Sequence, residues 1–68
     1  MDRRMVVSDR EVDQVARRML AQHGAGAALA AVQELNTSID RRDWHGRDTW
    51  ARIVRRIHEI VENTSPSR

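Results

Sequence analysis

The sequence predicts an all-α protein, three helices over about residues 9–23, 27–41 and 44–62 in an up-down-up bundle, and three observations carry that reading. The run from Trp50 to Val61 has helical rather than strand periodicity. A capping motif opens a second periodic segment at Ser8. Only Gly24-Ala25-Gly26 separates that segment from the next, so the chain must turn straight back on itself.

The run at Trp50 is the most strongly patterned. At 100° per residue, Trp50, Ile53, Val54, Ile57, Ile60 and Val61 share one third of a helical circumference, with Arg52, Arg55, Arg56 and Glu59 opposite. Such a helix has one wet side and one side that needs covering, and the rest of the chain supplies the cover.

Ser8-Asp9-Arg10-Glu11 is a capping box: the serine oxygen accepts from the Glu11 N–H while the glutamate reaches back to Ser8. Val7 and Val12 are placed for a hydrophobic staple. Asp9, Glu11 and Asp13 sit at the positive end of the helix dipole, with Arg17, Arg18 and His23 toward the negative end. Val12, Val15, Ala16, Met19 and Leu20 keep helical spacing, and Gly24 ends the helix.

The second helix is expected to turn Ala28, Ala31, Val32, Leu35 and Ile39 inward, with its tightest contact at Ala28 and Ala31, where small side chains allow close approach. Asn36-Thr37-Ser38 lowers helix propensity, and an end at Asn36 is the alternative boundary. Asp43 is the expected N-cap of the third helix, with Gly46 at its third position and Asp48 as the alternative start. Trp44 lies about 120° from Trp50 on a continuous helix, outside the apolar stripe. It either packs across the corner, the favoured reading for a tryptophan beside a tight turn, or faces a partner. Residues 1–7 are expected to be a flexible lead, 8–62 one domain, and 63–68 a disordered polar tail that Pro66 keeps from being helical.

The pattern Met19-x3-His23-Gly24-x2-Ala27-Ala28-x2-Ala31, followed by Asp43-x2-Gly46-x3-Trp50-x-Arg52-Ile53, resembles a family of small uncharacterised all-helical proteins common in GC-rich bacteria, a domain of unknown function. The resemblance covers roughly residues 12–62 and implies an all-helical fold, with no functional residues to carry over. His23 stands where the resemblance leads one to expect tyrosine. Trp44 and Arg47 stand where it leads one to expect smaller or aliphatic residues, which makes this corner bulkier and more basic.

Composition narrows the function. At 68 residues a single core is only marginally sufficient, and burial against a second subunit or another protein is a natural remedy. With no cysteine there is no disulfide framework, thiolate metal site or thiol nucleophile, which suits a reducing compartment. The apolar stretch at Met5-Val6-Val7 is too short for a signal peptide, and no run approaches a membrane span; a cytoplasmic protein is expected. All twelve basic residues are arginine, for which a GC-rich coding sequence is the plainer explanation, and the net charge is only +2.

Chemistry is poorly supplied. His45 with Asp40, Asp43 and Asp48 offers metal-ligand types without a recognised ligand spacing, and capping carboxylates beside a solvated histidine explain them more simply. His58 and Glu62 form an ordinary helical pair. The serines and threonines have no histidine placed beside them, and Gly24-Ala25-Gly26 is not a phosphate loop. No catalytic residue, cofactor, metal or small-molecule substrate is expected. The predicted function is a small helical protein–protein interaction or regulatory module, with another protein or a second copy as partner and a surface of Trp44, Arg41, Arg42 and Arg47. The alternative is DNA or RNA binding through Arg52, Arg55 and Arg56. Expected ion pairs Asp48–Arg52, Arg55–Glu59 and Asp13–Arg17 would partly neutralise that face.

Overall fold

A computed structural model describes residues 8–64, and its regular structure is entirely helical. The elements are α1 (Asp9–His23), a single 3-10 turn (Gly24–Gly26), α2 (Ala27–Asp40) and α3 (Trp44–Thr64). The expected lead at 1–7, with the Val7 half of the staple, and the tail positions 65–68 lie outside the described residues. Asn63 and Thr64 continue α3 beyond its expected end at 62.

Both bonds of the capping box open α1: Ser8 Oγ accepts from the Glu11 N–H and the Glu11 carboxylate accepts from the Ser8 N–H, each at 3.2 Å. Two orphan donors of the first turn are thereby satisfied. At the other end Gly24 takes φ +56°, a conformation in which a Cβ would crowd the backbone, and its N–H bonds the Leu20 carbonyl.

The α2–α3 corner is equally specific. The Arg42 N–H bonds the Ile39 carbonyl at 3.0 Å and the Asp43 N–H bonds the Ser38 carbonyl at 2.8 Å. This is the paired bonding of a Schellman stop, with Arg42 in the left-handed position at φ +58° where glycine is usual. Asp43 then caps α3, its Oδ1 accepting from the Gly46 N–H at 3.0 Å.

The core joins Val12, Ala16 and Met19 of α1 to Ala27 and Ala31 of α2 and Ile53, Ile57 and Ile60 of α3. Val15, Leu20, Ala28, Ala30, Trp50 and Val54 pack partly against it. α2 departs from expectation. Its buried line is Ala27, Ala31 and Ser38, rotated by roughly 80° from the expected line through Leu35 and Ile39. Ile39 is exposed, Val32 and Leu35 are half-buried, and Ala28 is less buried than Ala27. Steric economy explains the rotation: a helix facing two neighbours approaches them most closely along its smallest side chains, so the bulky residues are displaced to the flank. α3 shows a matching departure, since Val61 is exposed and Trp50 and Val54 only half-buried. Its apolar arc is wider than the surface α1 and α2 cover.

Candidate interaction surface at the α2–α3 corner

Trp44 opens α3 about 180° around the helix from Ile53, directly away from the core. It is 54 % exposed. The corner packing favoured from the sequence is therefore not what forms, because the inner side of the corner is already closed. Gly46 lies against Asp43 and Ser38 so tightly that a Cβ there would come within 2.9 Å of Ser38 Oγ. No volume remains for an indole.

The ring carries a cation instead. The Arg47 guanidinium carbon stands 5.4 Å from the Trp44 ring centroid, while one of its terminal nitrogens donates to Asp48 Oδ1 at 3.0 Å. Arg41 and Arg42, the two turn residues, are exposed beside them. The four residues of the predicted surface thus share one corner. A cation–π contact at an exposed site contributes about 0.5–1 kcal/mol, a modest bias toward this pose of the indole.

The arginines of α3 are placed differently from the sequence reading. Arg52 donates to Asp9 Oδ1 at 2.6 Å and Arg56 Nε to Asp13 Oδ1 at 2.7 Å, so both clamp α1 along α3 instead of standing on a free outer side. Arg56 also reaches Glu59 at 3.3 Å, and Asp13 accepts from Arg17 at 2.9 Å. Of the three expected pairs, Asp13–Arg17 forms; Asp48 turns to Arg47, and Glu59 to Arg56. Arg55 is exposed on the same edge. With Asp9, Val12 and Glu59, these three arginines line an open groove of about 300 Å³ between α1 and α3.

These pairs have a pH consequence. Hydrogen bonds from Arg17, then Arg56, hold the Asp13 carboxyl below its ordinary 3.8. A depressed acid pKa contributes stability in full above the unfolded value, and that stability is lost as pH falls through the folded value. Urea midpoints followed by helical circular dichroism should thus decline as pH drops below about 4. Asp13→Asn should have a shallower acid limb, and an unchanged limb would dissociate the clamp from folding.

His23, His45 and His58 are exposed, and among the described residues no group of three or more histidine, aspartate or glutamate side chains is placed to hold a metal ion. No described helix is long and apolar enough to cross a membrane. The strained Arg42 and the tight Gly46–Ser38 approach were missed from sequence. The second had a signal, since Ser38 shares the spacing of Ala27 and Ala31.

No family model, curated protein or solved structure matches this chain, and the resemblance to small all-helical bacterial proteins rests on the sequence pattern alone.

Proposed function

We propose that this chain is a small non-catalytic protein–protein interaction module acting in the cytoplasm, its three helices forming an up-down-up bundle that holds the α2–α3 corner out to another protein. The observation that supports it most is the outward Trp44 with the Arg47 guanidinium over its ring. Aromatic and arginine side chains dominate binding energy at interfaces because they present large contact area and directed donors at little entropic cost. Arg42 adds to the case. A non-glycine residue in the left-handed region costs roughly 1–2 kcal/mol, and here it keeps an exposed arginine in the turn that leads into Trp44.

Affinity capture from the native host tests the reading. Immobilised wild-type chain should retain a specific protein; Trp44→Ala should lose most of it. Arg42→Gly should raise thermal stability, by roughly 1 kcal/mol, while weakening capture. Retention of the same protein by Trp44→Ala would remove the corner from the interface. The nucleic-acid alternative draws less support, because Arg52 and Arg56 already hold carboxylates of α1.

A further inference from the structure

The geometry points to a second interface: this chain pairs with a second copy of itself through the flank of α2 and α3 that lies away from α1. It goes beyond the corner reading and meets that surface only at Arg47, whose guanidinium also lies over Trp44 and donates to Asp48.

The flank follows from where α1 sits. Arg52 and Arg56 fix α1 to one side of α3. Trp50, Val54 and Val61 lie on the other side, Val54 roughly 160° around the helix from Arg56. On α2 the rotation of the buried line leaves Val32, Leu35 and Ile39 displaced to one side. In an antiparallel right-handed pair that side adjoins the Trp50–Val54 flank of α3. The result is one apolar strip across two helices, half-buried at its centre and open at Ile39 and Val61.

Two features select a second copy as the occupant. The first is area. Ile39 is 42 % and Val61 46 % exposed, and the other four side chains are half-buried. A standard interface takes about 800 Å² from each partner, somewhat over half of it apolar, so the strip fits the apolar centre of one half of a two-fold interface, with the polar residues around it supplying the rim. The faces of Trp50 and Val54 turned from the core, and the α2 residues displaced from the buried line, would be covered there.

The second is charge. At the corner end of the strip, Asp40 borders the α2 edge and Arg47 the α3 edge, both exposed. Turning a second copy about an axis parallel to the helices lays α3 of one against α2 of the other at the same level. That operation brings Arg47 opposite Asp40 of the second copy, and by symmetry Asp40 opposite its Arg47. The strip complements itself in sign as well as in area.

Sedimentation equilibrium of the full chain over a wide concentration range reads the outcome. The wild type should follow a monomer–dimer isotherm, and Ile39→Asp/Val61→Asp, at two exposed positions, should weaken it at least about tenfold while keeping its helical circular dichroism. A monomer at every concentration overturns the proposal, as does a helical double variant that associates like the wild type. Should that variant lose helicity, charge reversal decides. Asp40→Arg and Arg47→Asp should each weaken the dimer and their combination restore it, and reversal without effect overturns the proposal. Trp44→Ala should leave the dimer intact, which separates this interface from the corner.

Discussion

Ile57→Ala should cost the chain a large share of its stability, roughly 2–5 kcal/mol. Ile57 is the largest side chain that is completely enclosed, 1 % exposed, and it shares the core with Ile53 and Ile60 of α3, Val12 and Met19 of α1 and three alanines. Removing three carbons there forfeits their transfer free energy and leaves a cavity that the neighbours refill only in part, for a loss of roughly 2–5 kcal/mol. At about 0.05–0.15 kcal/mol per residue, a domain of this length has on the order of 3–9 kcal/mol to lose. Urea titration followed by circular dichroism measures the loss directly. Val61→Ala, on the same helix but exposed, sets the contrast: its urea midpoint in dilute solution should move by no more than about 0.5 kcal/mol equivalent. Equal losses at the two positions would mean that the packing described for α3 is not what holds the fold.

The contrast between those two isoleucine and valine positions also marks how far the sequence was readable. Periodicity placed the α1 boundaries at 9 and 23 and the start of α3 at 44, because capping at Ser8, Gly24 and Asp43 is local chemistry, fixed by residues within one turn. It also identified Ile53 and Ile57 as core. What it misjudged is rotational phase. Apolar side chains on α2 span a wide arc, and which part faces inward depends on how closely two other helices can approach, which no window of sequence contains. Size settled it: Ala27, Ala31 and Ser38 face inward, and Ile39 does not. The candidate surface was legible as a set, Trp44, Arg41, Arg42 and Arg47 falling at one corner, yet the outward turn of Trp44 was not. That turn follows from the phase of α3, which sets Trp44 about 180° from Ile53, with the inner side of the corner taken by the neighbouring glycine, Gly46, against Ser38. Ion pairs within one helix, such as Asp13–Arg17, follow from spacing. Those between α1 and α3 join residues 43 positions apart and needed the packing first.

That neighbouring glycine supports the other large effect. Alanine is the better helix former by about 1 kcal/mol, so propensity alone predicts that Gly46→Ala stabilises α3. Packing argues the other way. A Cβ at position 46 would lie 2.5 Å from Asp43 Oδ2, 2.9 Å from Asp43 Cγ and 2.9 Å from Ser38 Oγ, all closer than ordinary contact. The Asp43 carboxylate cannot simply swing aside, since its Oδ1 accepts from the Gly46 N–H and caps α3. Ser38 cannot retreat either, being 7 % exposed on the buried line of α2 with its carbonyl bonded to the Asp43 N–H. Relief requires losing the cap, about 1 kcal/mol, or prising α2 from α3 beside Ser38, an overpacking cost of roughly 1–3 kcal/mol. The propensity gain offsets about 1 kcal/mol of that cost, so Gly46→Ala should fail to stabilise α3 and should lower stability by up to about 2 kcal/mol net. Ser38→Ala in the same background removes one of the two obstructing groups and should recover part of the loss, a coupling that a double-mutant cycle isolates. Gly26→Ala, with nothing within 4 Å of its added methyl, provides the control and should be neutral or stabilising. If Gly46→Ala melts higher than the wild type, the close approach of α2 and α3 at Ser38 is wrong.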